Sequence, residues 1–472
     1  MSRSALFDAV EAERERLCGL AAELWDHPEV GLEETRAAAL VGDTLREAGF
    51  DVETGVGGMP TALVASYGDG DPTVGLLGEY DALPDLSQRV AVERKPVEPG
   101  APGHGCGHNL LGVAGVGAAL ALKPRLDDGR LEGTLRYYGC PAEETLVGKV
   151  FMARDGAFDD LDAALSWHPS DVTRPRFGSS LAMDSVLYTF EGTPAHAAQS
   201  PAAGRSALDA VELMNAGVEY LREHTPEKAR IHYAITEGGS VPNVVPAEAT
   251  VWYYVRAPTR RQVERLTERV DDVARGAARM TGTTLDRRFV TGCWEFLPNE
   301  TLTAVMWDTL SALGPVPFTD EDRSFAAALQ ATIEESAIDA RLAELEPAVR
   351  EALRGQALAP EPFPPADEPG LMMGSTEVSD VSWLAPTAEY LGATWPVGTT
   401  AHTWQAVAAS GDLGTRAMVH VAKALAGTAA ELYARPELVA AAREDFERAQ
   451  GDLEYRTPLP PDAGPPFDLT IG

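Results

Sequence analysis

The run Gly103-His104-Gly105-Cys106-Gly107-His108-Asn109 sets a thiol and an imidazole two positions apart among glycines. Thiolate and imidazole both bind zinc-like ions, and glycine lets a backbone bend closely around one. Pro141-Ala142-Glu143-Glu144 adds two adjacent carboxylates. Neighbours in an extended segment point opposite ways. One Glu can therefore hold metal while the other faces a substrate. Ser166-Trp167-His168-Pro169 ends an apolar run on a His, and Thr400-Ala401-His402-Thr403 offers another. Each piece alone has a bland reading: a glycine turn, an acidic helix start, a core His, a loop His. Together Cys106, His108, Glu143 or Glu144, His168 and His402 exceed the four ligands of one tetrahedral zinc. They suit two divalent ions sharing a bridging ligand. Gly78-Glu79-Tyr80-Asp81-Ala82-Leu83-Pro84 supplies a carboxylate that can hydrogen-bond a ligand His and fix its tautomer. His27, His224, His232 and His420 have no such setting and read as structural or surface.

These residues need strand ends to converge. Short strands are expected over 61–67, 73–77, 134–139 and 163–167, with a helix over 109–122 between the second and third. Helices are expected over 5–24 and 35–48. Strands alternating with helices give an α/β sheet, in which functional groups gather where strands end. Glu79 and Asp81, Glu143 and Glu144, and His168 all follow such strands.

The pattern changes after residue 181. Strands over 184–191, 231–236, 248–256 and 284–290, with helices over 203–223 and 259–281, run β-α-β-β-α-β, a split βαβ unit. The expected fold is α/β: a catalytic domain with a mixed, mostly parallel sheet flanked by helices, plus an inserted ferredoxin-like (βαββαβ) lid or dimerisation domain. The expected division is 1–181, 182–293 and 294–472, with a helical insert at 299–370 that contains a Pro-rich loop over 359–370. Residues 371–410 read as short strands and turns, and 413–426 and 428–448 as two helices. The final stretch, TPLPPDAGPPFDLTIG, has too many prolines for a helix.

Composition narrows the function. The chain has 472 residues, 44% of them hydrophobic, enough for a full core. With 39 Lys and Arg against 72 Asp and Glu the net charge is −33, which argues against nucleic-acid or anionic-membrane binding. Four Cys are too few for a disulfide scaffold. Acidic and basic residues interrupt the first helix, so neither a signal peptide nor a membrane span is expected. The reading is a soluble, cytoplasmic protein.

GEYDALP (78–84), GHGCGHNLLG (103–112), PAEE (141–144), GKVFMARDGAFDDLDAALSWHP (148–169) and GTTAHTWQ (398–405) together carry a family resemblance. Over about residues 10–440 the chain resembles the metal-dependent amidohydrolase branch of the aminoacylase and carboxypeptidase superfamily. Within it the similarity is greatest to the B-type subunits of aminobenzoyl-glutamate hydrolases. The resemblance implies Cys106, His108, Glu144, His168 and His402 as ligands of two divalent ions, zinc or manganese. It implies Glu143 as general base and Asp81 as the acid behind a ligand. Glu79 stands where many relatives outside the branch carry a His ligand, and its role stays open. Gly192-Thr193-Pro194-Ala195-His196-Ala197-Ala198 resembles a lid segment whose His reaches the active site, in some relatives from the partner subunit. Val241-Pro242-Asn243-Val244-Val245-Pro246 resembles a second lid segment, with Asn243 near the substrate. Arg256 stands where relatives bind a substrate carboxylate.

The resemblance implies an enzyme hydrolysing the amide of an N-acyl amino acid (aryl or aminobenzoyl type) or a small dipeptide. It further implies a homodimer through the lid and a related second subunit as a partner. Two rival readings stay open. Cys106 could be a nucleophile with His108 or His168 as base, or the chain could be a non-catalytic binding subunit. A nucleophile, however, needs no Glu pair and no additional His on separate strands.

Overall fold

The computed structural model describes residues 3–469. A seven-stranded sheet is built from β1 (Asp51–Thr54), β2 (Leu63–Asp69), β3 (Thr73–Glu79), β4 (Gly133–Cys140), β5 (Ala163–Ser170), β6 (Arg174–Arg176) and a late strand (Thr387–Ala393). Its order is β1-β2-β4-β3-β5, then the late strand, then β6. From β4 to the late strand the neighbours run parallel, and the flanking pairs are antiparallel. Parallel strands place their carboxyl ends along one edge, where ligands bind in such sheets. That edge receives Glu79, Cys140 and His168.

The helix His108–Asp127 is apolar nearly all round and buried along most of its length. It packs on the sheet alongside the helix Asp412–Ala434, which also touches the sheet. Tyr137 Oη donates to Gly112 O at 3.0 Å and Trp167 Nε1 to Leu111 O at 3.0 Å, so two strand aromatics fix the helix start over the sheet. Burying a large apolar side chain is worth about 1.5–3 kcal/mol, and Leu110, Val113, Val116 and Leu122 are all fully buried here.

A separate four-stranded antiparallel sheet holds β8 (Ala182–Glu191), β9 (Arg230–Glu237), β10 (Glu248–Ala257) and β11 (Thr284–Cys293), after a short β7 (Gly178–Ser179). Its order is β11-β8-β10-β9, with the helices Ala207–Arg222 and Arg260–Thr281 packed on it. This is the split βαβ arrangement, so the expected fold class is borne out.

Two local expectations are corrected. The first helix breaks at Glu13 into Arg3–Ala12 and Arg14–Asp26. The expected break near 427 is absent. Helix Asp412–Ala434 continues through Gly427, where a Cβ would meet Thr309 Cγ2 at 2.6 Å. That glycine serves close packing, and the break comes at Arg435, before Pro436 opens the helix Pro436–Gln450. Strands β1 and β6, short and at the sheet margins, carry no clear pattern in the sequence. The segment 299–370 is helical as expected, with helices Glu300–Leu313, Asp320–Gln330, Glu335–Ala343 and Pro347–Leu353.

Candidate metal centre

The five expected ligands converge although the chain brings them from four distant segments. Cys106, His108 and His168 offer donor atoms within 4.8 Å of one another, and so do Cys106, Glu144 and His402. The two sets share Cys106. Cys106 Sγ lies 3.3 Å from His168 Nε2, and His402 Nε2 lies 3.2 Å from Glu144 Oε2.

Backbone chemistry explains the convergence. Gly107 has φ +74°, and a Cβ there would meet Pro169 Cγ at 2.9 Å, so only glycine lets this loop approach the His168 strand end. His402 takes the left-handed conformation at φ 63°, and its N–H donates to Gly105 O at 2.8 Å. The early and late loops are thereby tied together.

Orientation comes from behind. Asp81 Oδ1 accepts from His108 Nδ1 at 2.8 Å, and Asp81 Oδ2 accepts the Glu144 N–H at 2.9 Å. His168 Nδ1 donates to Pro169 O at 2.7 Å. Each bond leaves the opposite ring nitrogen of its His with a lone pair for a ligand. His108 Nε2 and Glu144 Oε1 are buried without a hydrogen-bond partner. Buried donors and acceptors are almost always satisfied, so these orphans mark a place for a cation. The residues fit the group: thiolate, imidazole and carboxylate are the ligand types of a zinc-like ion.

Burial pushes the Glu143 carboxyl well above its usual range, and the Glu79 charge adds to that. Burial would raise the Cys106 thiol, yet His168 and His108 hold it well below its usual value. Hydrogen bonding to Cys106 and Glu144 raises His402 to about 10.

Several participants escape a reading of the sequence. Lys149, fully buried, sits 2.6 Å from Glu79 Oε1 and 3.1 Å from Glu377 Oε1. Glu79 Oε2 lies 3.3 Å from His108 Nε2, and Glu79, His108 and Glu143 form a third donor set. A lysine inside the otherwise buried helix Gly148–Arg154 is the available signal; Glu377 has none. Arg176, paired with Glu389 at 2.7 Å, escapes it too.

The donors open into a cavity of about 780 Å³, whose wall includes Leu146, Tyr254, Leu371, Met372 and Met373. Arg256 lines it, with Nε donating to Ser375 Oγ at 3.2 Å and Nη1 lying 3.1 Å from His232 Nδ1. His232, which reads in the sequence as structural or surface, therefore backs a cavity residue. Arg341 and Glu344 place the helical segment 299–370 at the cavity wall, where Arg341 pairs with Asp171 at 2.7 Å.

His196 and Asn243 do not join this group. His196 is solvent-accessible, lies outside the cavity lining, and bridges to Val244. Its Nδ1 accepts from the Ala198 and Gln199 N–H groups at 3.3 and 3.2 Å, so Nε2 carries the proton and is a donor. Asn243 is exposed, and its carbonyl accepts the Ala197 N–H at 3.0 Å.

The family model of the M20 peptidase dimerisation domain matches residues 182–280. Over 468 residues the chain is 42% identical to the B-type subunit of p-aminobenzoyl-glutamate hydrolase from Escherichia coli K12, covering 97% of each. The chain belongs to the M20 family. It is also 29% identical to the Xaa-Arg dipeptidase of Mus musculus, over 93% of this chain and 91% of that one. A dinuclear metal-binding M20 peptidase from Bacillus subtilis shares the fold, with TM-score 0.55 at 16% identity over 90% of this chain and 99% of that one. This M20 protein is a metal-dependent amidohydrolase, and its donor sets are suited to divalent ions.

Proposed function

We propose that this M20 hydrolase cleaves the amide of an N-acyl amino acid, with an aryl or aminobenzoyl acyl group, or of a small dipeptide, releasing a free amino acid. The observation carrying the reading is the pair of donor sets sharing Cys106 at the floor of a cavity with an apolar wall and Arg256. The named activities of the two relatives, on an aminobenzoyl amino acid and on dipeptides, support that substrate class.

Cys106, His108, His168, Glu144 and His402 would hold two divalent ions, as two donor sets that share Cys106. Zinc or manganese suits this mixture of soft and hard ligands. When bound, such a pair supplies a water acidic enough to be a nucleophile near neutral pH and polarises the amide carbonyl. Glu143 takes the proton from the attacking water and returns it to the departing amine. Its raised affinity for a proton suits both steps. Asp81 holds His108 and the Glu144 backbone in place. Arg256, whose contacts Ser375 and His232 carry no negative charge, receives the carboxylate of the amino acid part. His196 donates to the developing oxyanion and Asn243 contacts substrate, both from the partner copy in a homodimer formed through the four-stranded sheet. Residues 182–293 act as the lid and dimerisation domain, with 1–181 and 294–472 the catalytic domain. A related second subunit and a cytoplasmic setting complete the reading. No described helix is long and apolar enough to cross a membrane.

Elemental analysis of the purified protein, with Cys106→Ala beside it, tests the reading. About two transition-metal ions per chain, lost or halved in the variant, are expected. No metal after reconstitution, with Cys106 readily alkylated by iodoacetamide and activity surviving a chelator, overturns it in favour of a thiol nucleophile.

A further inference from the structure

The turn that carries Glu143 is gripped on both flanks by carboxylates from elsewhere in the chain. On one flank Asp81 Oδ2 accepts the Glu144 N–H at 2.9 Å. On the other, Glu34 Oε1 accepts the Ala142 N–H at 2.7 Å. Glu34 lies 108 positions upstream in sequence, just before the helix Thr35–Glu47, and is fully buried.

That turn needs holding. Ala142 and Leu146 both take the left-handed conformation, at φ 54° and 59°, and neither is glycine. Such residues are strained and persist only where the surroundings over-determine them. The segment containing Glu34 lies directly against the turn: a Cβ on Gly31 would meet Ala142 Cα and Cβ at 3.0 Å. The Glu34 side chain makes no capping bond to the helix it precedes, and its Oε2 has no hydrogen-bond partner. Leaving half of a buried carboxyl unsatisfied is costly. The group does fix one backbone N–H, on the residue before Glu143.

We infer that Glu34 is a positioning residue for catalysis: it locks the Ala142 peptide so that Glu143 faces the cavity beside His108. The inference rests on the assignment of Glu143 as general base, and it adds a residue that touches neither substrate nor metal. Its effect must fall on turnover, because substrate contacts such as Arg256 lie on other segments.

The test compares Glu34→Ala, Glu34→Asp, Glu34→Gln, Val41→Ala and Glu143→Gln for kcat, KM, metal content and melting temperature. Val41 is fully buried in the helix Thr35–Glu47 and serves as the stability control. Glu34→Ala should lower kcat by roughly tenfold to a hundredfold, the range produced by an ångström of misplacement, with KM and metal content near wild type. Glu34→Asp keeps the carboxyl but withdraws the acceptor, so it should also lower kcat, and it stands in if the alanine variant does not fold. Glu34→Gln keeps a carbonyl oxygen at the same place and should restore most of kcat. Wild-type kcat in Glu34→Ala or Glu34→Asp overturns the inference. So does an equal kcat loss in Val41→Ala at the same loss of melting temperature. Full activity in Glu143→Gln would instead overturn the general-base assignment beneath it.

Discussion

The catalytic sheet edge and the loops of the four-stranded sheet handle histidine in opposite ways. At the sheet edge His108 is fully buried, clasped by Asp81, and aimed at other donors. In the loop at 192–198 His196 lies in solvent, outside the cavity lining, held only by two backbone N–H groups. Both rings have a fixed tautomer, but only the first has a reacting neighbour. One chain thus completes the donor floor by itself. The contribution proposed for His196 and Asn243 would require an approach from outside the catalytic part, by a second copy or by movement of the smaller sheet. Preorganisation costs a catalytic floor nothing during turnover, whereas a segment acting as a lid, the role proposed for this one, must open to admit substrate and is left exposed when it does.

The largest expected effect is at the floor. Glu143→Gln should reduce kcat by about 10²–10⁴-fold while metal content, measured by elemental analysis, stays at the wild-type value. A loss of metal with the activity would mean that Glu143 is a ligand and would redraw the floor. Next comes the exposed ring. His196→Ala should cost about 10²-fold in kcat with metal content and melting temperature unchanged. Mixing that inactive chain with Glu143→Gln under conditions of subunit exchange then separates the two routes. Activity regained by the mixture, which neither parent has, places His196 across a dimer interface. No recovery places it in the same chain, swung inward.

The smallest effect concerns a buried His with no catalytic neighbour. His420, in the helix Asp412–Ala434, is held at a pKa of about 4 by burial, with the Lys423 charge adding to the effect. Its folded pKa lies below the unfolded value of 6.5, so its contribution is whole above that pH and drains away as pH falls toward 4. Between pH 8 and pH 5 this costs about 2 kcal/mol. Urea titrations at the two pH values should show His420→Gln losing most of that difference. An unchanged difference would place the acid sensitivity in other groups.

Much of the site was legible because metal ligation restricts residue type. Cys, His and Glu in glycine-rich or strand-end settings at 106, 108, 143 or 144, 168 and 402 stood out as a set, and the structure gathers them. Lys149, Glu377 and Glu34 did not stand out, since a charged residue looks alike whether it lies in solvent or in a core. Their meaning appears only when burial removes water and leaves a named partner: Glu79 and Glu377 around Lys149, the Ala142 N–H against Glu34. Gly427 misled for a related reason. Glycine ends helices by taking left-handed angles, but it also lets helices touch, and only the neighbour Thr309 distinguishes the two uses.

By itself the sequence determined the α/β class and the inserted βαββαβ unit, and narrowed the candidate donors to Cys106, His108, one of two adjacent Glu, His168 and His402, because periodicity and ligand chemistry are local properties of a chain. Only the tertiary structure decided that two donor sets share Cys106, that the segment 299–370 walls the cavity, and that His196 stands apart from it. Those are relations among segments hundreds of residues apart, fixed by packing and by which buried polar groups find a partner.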